Sequence, residues 1–249
     1  MRILHFLTIS VAGLFLIGCK SPYLARENRP ITYTINAGLP EDTSIVSYYA
    51  PFKTAMESEM NRQIGFSERF LNKSRTEPEF LVGNFFADAL LEIGKKIDPT
   101  VEMSFSTKGG IRSELQQGSV TVGSIFELMP FENTITILEI KGSDLLILAD
   151  FIASTGGQPI GGFSIMIKDD HLESIRLHGK TIDPEKSYKL VTYDYLANGG
   201  DNVKGLSNPL KRINTPILVR EGLIEYVEQL TKENKKINTQ LDGRIAIIK

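Results

Sequence analysis

Apolar positions along the chain alternate between a spacing near 3.6 and a spacing of 2, so helices and strands are interleaved. Val82, Phe86, Ala89, Leu90, Ile93 and Ile97 recur as one helical stripe. Pro78 is placed to open that helix, since proline is tolerated in a first turn. Asn84 and Asp88 lie one turn apart on a different face. A second stripe, Ile45, Tyr48, Tyr49, Phe52, Met56 and Met60, follows a cap at Asp42-Thr43, with Pro51 predicting a kink or a split. Residues 144–151 predict a helix facing inward through Leu145, Leu148 and Ala149. Residues 216–230 do the same through Leu218, Leu223, Ile224, Val227 and Leu230, and residues 123–128 read as a helical turn.

Period-two or short apolar runs predict strands at 63–69, 101–106, 134–141, 163–167 and 243–248, with 171–178 pairing with 163–167 as a hairpin. The stretch 188–195 alternates Tyr188, Leu190, Thr192 and Asp194 against Lys189, Val191, Tyr193 and Tyr195, a strand that breaks at Asn198-Gly199-Gly200. Glycines there can take positive φ without steric cost. The interleaving is too irregular for a doubly wound sheet. The expected class is therefore α+β, a mixed sheet with flanking helices in a single domain, residues 40–249.

The first 18 residues read as a leader. Arg2 precedes an apolar run over 4–17, and Leu16-Ile17-Gly18-Cys19 has the form of a lipobox. The run falls short of the ~20 residues a membrane span needs. Cys19 is the only cysteine, so no disulfide can form, and its position predicts cleavage and lipidation there. An ordinary secretory signal or a single-span anchor is the alternative. Residues 19–39, with Pro22, Pro30 and several charges, suit a tether from a membrane of the cell envelope. A net charge of −2 provides no basic field, which argues against a nucleic-acid polymer as partner.

Candidate chemistry gathers at three loops. Tyr195 and Asp201 bracket the glycine turn; a ring and an acid there can stack on a base and accept from a ribose diol. On spacing alone, a plain hairpin with a surface tyrosine is the preferred reading. In Thr107-Lys108-Gly109-Gly110-Ile111-Arg112, two glycines precede a guanidinium whose planar fork suits phosphate. An ion pair with Glu114 or Glu127 is equally open. Phe131 follows Pro130 in a polar loop and is a candidate exposed ring, although a buried core residue is the preferred reading. Of three histidines, His5 lies in the leader, and His171 and His178 have no ligand companions nearby in sequence.

Five elements appear in a familiar order: Gly83-Asn84-Phe85-Phe86-Ala87-Asp88-Ala89, Gly109-Gly110-Ile111-Arg112, Pro130-Phe131-Glu132-Asn133, Gly142 after a buried strand, and Tyr195-Leu196-Ala197-Asn198-Gly199-Gly200-Asp201. Together, over about residues 66–248, they resemble the C-terminal, substrate-binding domain of the bacterial and animal 5′-nucleotidases. The resemblance implies a nucleobase held between Phe131 and Tyr195, phosphate on Arg112, ribose hydroxyls on Asp201 and a base contact from Asn133. It reverses the preference for the plain hairpin. Arg75 is the nearest match to further phosphate arginines, Lys108 is a point charge that can compensate, and Gly162 completes the binding candidates. The chain departs from the family pattern at Thr107-Lys108, where Asn and a further Gly are common, and at Tyr195, usually phenylalanine; a phenol still stacks. In the two-domain enzymes a separate metallophosphatase domain holds two divalent metals. No such ligand set is seen here, so the chain is expected to carry no cofactor, to be inactive alone and to rely on a separate metallophosphatase chain. A nucleotide-capturing lipoprotein with no hydrolytic partner, or a scaffold with a decayed pocket, are the alternatives.

Overall fold

The computed structural model describes residues 30–248; the leader and the lipobox with Cys19 lie outside the described residues. The chain divides between Tyr48 and Tyr49, and the later unit carries every strand and the core. Helix α1, Thr43–Met60, is capped by the Asp42 carboxylate, which accepts from the amides of Ser44 and Ile45. It continues through Pro51 without a split. Along its apolar stripe Ile45, Tyr48, Tyr49, Phe52 and Met56 are exposed, while Met60 packs against the core.

Thereafter the elements are β1 (Gln63–Ser67), α2 (Leu81–Ile97), β2 (Met103–Phe105), β3 (Gly118–Thr121) and α3 (Val122–Leu128). Next come β4 (Thr134–Lys141), α4 (Gly142–Ser154), β5 (Ile160–Gly161), β6 (Phe163–Lys168), β7 (His171–Leu177) and β8 (Lys180–Thr181). The chain ends through β9 (Ser187–Tyr193), α5 (Asp194–Ala197), β10 (Lys211–Leu218), α6 (Val219–Lys232) and β11 (Ile245–Ile248). The central sheet has the order β10-β4-β9-β2-β5, a second sheet the order β11-β6-β7-β8, and β1 pairs with β3. Both larger sheets are mixed: β2 runs parallel to β9 and β11 parallel to β6, while β4 pairs antiparallel with β9 and β10.

Burial explains why β4 and β9 sit at the centre. Ile135, Thr136, Ile137 and Leu138 are all buried, as are Leu190, Val191, Thr192 and Tyr193, so both faces of each strand are covered. Runs without alternation are what a strand buried on two sides requires. Helix α2 covers one face. Its predicted stripe is buried as far as Ile93, and Gly94 lies so close to Val191 that a methyl there would come within 2.7 Å of it. The end of α2 is tied to β9 by Lys189, whose amine contacts Asp98 at 2.7 Å and Thr100 at 2.6 Å. The hydrogen bond from Lys189 holds the Asp98 carboxyl well below the usual carboxylate range.

Several boundaries differ from the sequence expectation. Helix α2 begins at Leu81, three residues after Pro78. The stretch 188–195 leaves the strand at Tyr193, and the chain then turns into α5 instead of a hairpin. The partners of β9 are β4 and β2, and the next strand, β10, lies at the far side of β4. Residues 216–218, expected to open a helix, complete edge strand β10 instead. Pro216 falls where its register against β4 slips between Asn214 and Leu218, a place where a missing N–H is tolerated.

Candidate functional site

The first wall of the site is the glycine loop after β2. The Gly110 amide donates to the Thr107 carbonyl at 3.0 Å, closing a tight turn. Gly110 is dictated by close approach, and Gly109 sits in tight contact. A methyl at position 110 would come within 2.2 Å of the Tyr193 hydroxyl, and one at 109 within 3.2 Å of Asp201 Oδ2. Tyr193 is buried beside Ser106 and Thr107, and that burial pushes its phenol up. Arg112 then reaches outward, its amide donating to the Leu128 carbonyl at 2.9 Å.

The second wall is the loop 129–133 between α3 and β4. It is pinned from two sides. Arg220, only 8% exposed, stacks 4.2 Å over the Phe126 ring and donates to the Phe131 carbonyl at 3.2 Å. The Val219 amide donates to the Asn133 carbonyl at 2.9 Å. With its backbone held, the Phe131 ring stands 38% exposed, and the Arg112 guanidinium lies 5.6 Å from its centroid, within cation–π range.

The third wall is the arm from Asp194 to Asn202. The Asp194 Oδ1 accepts from the Tyr195 amide at 2.8 Å, the Thr134 amide at 3.1 Å and the Asn133 side chain at 3.2 Å. One oxygen thus binds the start of α5 to the Phe131 loop. Gly199 (φ 88°), Asp201 (φ 53°) and Asn202 (φ 56°) occupy the left-handed region, which turns the chain back over the ring of Tyr195. Gly200 lies against that ring: a methyl there would sit 2.4 Å from its edge atoms. The Tyr195 hydroxyl donates to Asp201 Oδ1 at 3.0 Å and accepts from the Asp201 amide at 3.3 Å, and Thr107 donates to Oδ2 at 2.5 Å.

Among the sequence candidates, Arg112, Phe131, Asn133, Tyr195 and Asp201 line one cleft of about 310 Å³, together with Gly109, Gly110 and Tyr193. Arg75 lines a neighbouring, more open groove of about 550 Å³ with Lys73, Ser113, Glu114 and Glu127, and Arg112 forms part of both walls. Burial, with Arg75 and Arg112 nearby, lowers the Lys73 ammonium. Lys108 and Gly162 lie elsewhere. The Lys108 amine contacts the carbonyls of Gly156 at 3.1 Å and Arg75 at 3.5 Å, while its backbone amide donates to Gln158. Gly162 (φ 84°) joins β5 to β6 where a methyl would collide with the Glu102 carbonyl, so that glycine serves the backbone and not the cleft. Sequence reasoning missed Asp194, Arg220 and Lys73. An acid directly after a strand and before an aromatic was a usable signal for Asp194; nothing local marks Arg220.

His171 lies 3.8 Å from Asp150 and His178 lies 3.7 Å from Glu102, each beside a single carboxylate. Among the described residues no group of three or more His, Cys, Asp or Glu is placed to hold a metal ion, and no helix is long and apolar enough to cross a membrane.

A mixed-sheet body with three loops converging on an aromatic and arginine-lined cleft defines the class of domain. The family described as 5′-nucleotidase, C-terminal domain, matches residues 63–208. The chain belongs to the 5′-nucleotidase C-terminal domain family. It is 23% identical over 197 residues to Protein UshA of Escherichia coli, covering 77% of this chain and 35% of that protein. It is 26% identical over 259 residues to a 5′-nucleotidase of Diplobatis ommata, covering 92% and 44%. The solved 5′-nucleotidase precursor of Thermus thermophilus superimposes with a TM-score of 0.70 at 23% identity, over 84% of this chain and 44% of that one. The chain thus spans less than half the length of these relatives.

The Asp194 knot makes a stability prediction. Asp194→Ala leaves three donors without their acceptor, two of them backbone amides, and should destabilise the fold by about 1–3 kcal/mol. Urea denaturation of the variant checks this; an unchanged midpoint would show that water replaces the carboxylate at no cost.

Proposed function

We propose that the domain recognises nucleotides or nucleosides, the base lying between Phe131 and Tyr195, the ribose diol on Asp201 and the phosphate on Arg112. Convergence carries this reading: five residues from three separate loops line a single cleft. The parts suit the chemistry. Two half-exposed rings offer flat apolar faces. Asn133 spends one side-chain N–H on Asp194 and keeps its amide oxygen and second N–H for a base edge. Arg112 stands between the ring cleft and the groove with Lys73 and Arg75, so a phosphate leaving the ring cleft meets three cations. Hydrolysis is assigned to a separate metallophosphatase chain, because two-metal chemistry needs a ligand cluster that the histidines of this chain do not supply.

Calorimetry with adenosine and AMP tests the binding half. Phe131→Ala and Tyr195→Ala should each weaken both ligands about tenfold or more, since a base–aromatic stack contributes ~1–3 kcal/mol. Arg112→Ala should weaken AMP and spare adenosine, because only AMP offers a phosphate. Equal loss of the two ligands would remove Arg112 from the phosphate role, and ring variants without effect would remove the sandwich.

Phosphate release tests the other half. The purified chain should free no phosphate from AMP with Mn²⁺, Zn²⁺ or Co²⁺ present, and activity should appear when a metallophosphatase chain is added. Metal-dependent turnover by the chain alone would overturn the division of labour.

A further inference from the structure

Asp201 stands on an exposed turn, where a carboxylate is ordinarily free to rotate and loses that freedom on binding. Here it is held at both oxygens. The Tyr195 phenol accepts the Asp201 amide hydrogen, so its own single hydrogen is directed outward, to Oδ1 at 3.0 Å. From the opposite side, buried Thr107 donates to Oδ2 at 2.5 Å. Gly109, with no side chain, leaves Oδ2 accessible, since a methyl there would come within 3.2 Å of it. A carboxylate has about four acceptor positions, and the two hydroxyls occupy one on each oxygen.

We infer that Tyr195 and Thr107 are positioning residues that fix the Asp201 carboxylate, leaving one acceptor position on each oxygen for the two hydroxyls of a vicinal diol. Tyr195 then has two separable roles in the cleft, a stacking face and a hydroxyl that acts through Asp201. Thr107, outside the cleft lining, sets diol selectivity without touching ligand. This rests on the nucleoside reading above and adds the discrimination between ribose and sugars without the diol.

The experiment is calorimetry of the full chain with adenosine and 2′,3′-dideoxyadenosine. Tyr195→Phe and Thr107→Val should each weaken adenosine about three- to tenfold, the range of one ordinary net hydrogen bond, because each removes a bond that only positions the acid. Thr107→Val should leave dideoxyadenosine within about twofold, because it acts only through an acid that ligand does not use, and Tyr195→Phe should cost adenosine more than dideoxyadenosine. Thr107→Ser, which restores the hydroxyl, should recover adenosine binding. In an Asp201→Asn background neither substitution should cost anything further for adenosine. Equal loss of both ligands, additive losses in the Asp201→Asn background, or tighter adenosine binding by the variants would each overturn the inference while the cleft still bound nucleosides. If Thr107→Val fails to fold, the Tyr195→Phe and Thr107→Ser arms decide the same question. A wild-type chain that binds neither nucleoside would overturn the nucleoside reading and this inference with it.

Discussion

One oxygen of Asp194 joins the two loops that carry the aromatic rings. It takes the Tyr195 amide inside the helical turn after β9, and it takes the Thr134 amide and the Asn133 side chain, which close the loop ahead of β4. The constraint works because β4 and β9 are already paired, with Ile135 opposite Tyr193. Their ends leave the sheet side by side, and a carboxylate at the exit of one strand reaches the backbone entering the other. Sheet register therefore sets the spacing of the cleft walls before any loop contact is made.

Rigidity behind the cleft comes from positions where no side chain fits. Gly110 gives way to the Tyr193 hydroxyl, Gly94 to Val191 and Gly200 to the Tyr195 ring. Each close approach seats one element on the next, and none survives an added methyl without movement, as expected of interiors packed like crystals. Arg220 does the same work by charge. It is buried on Phe126 and spends a hydrogen bond on the Phe131 carbonyl, so the exposed ring stands on a fixed base. Exposed rings on fixed backbones are what a preorganised stacking site needs.

Much of the fold was legible because burial and periodicity agree. Strand β4 spans the same residues, 134–141, that the apolar run predicts, and α2 buries the predicted stripe as far as Ile93. The pattern misled where tertiary structure overrides it. Asp194 and Tyr195 continue the alternation of β9, yet they open helix α5, where the Asp194 carboxylate accepts from the Tyr195 amide. The chain 211–215 is polar because β10 is an edge strand, and Pro216 in it resembles a helix start. Helix α1 has a regular apolar stripe, but periodicity reports a helix and not what covers it. For the site, the motif order was enough to select the five residues that meet. The departures at Thr107 and Tyr195 were visible too, as isolated oddities. Only the fold reveals that both side chains end on the carboxylate of Asp201.

The central claim is that one cleft takes a base between two rings, and a crystal structure of the chain with AMP bound tests it most directly. The account predicts the purine between the Phe131 and Tyr195 rings, the ribose hydroxyls on Asp201 and the phosphate against the Arg112 guanidinium. AMP bound at any other place, with this cleft left empty, would contradict it.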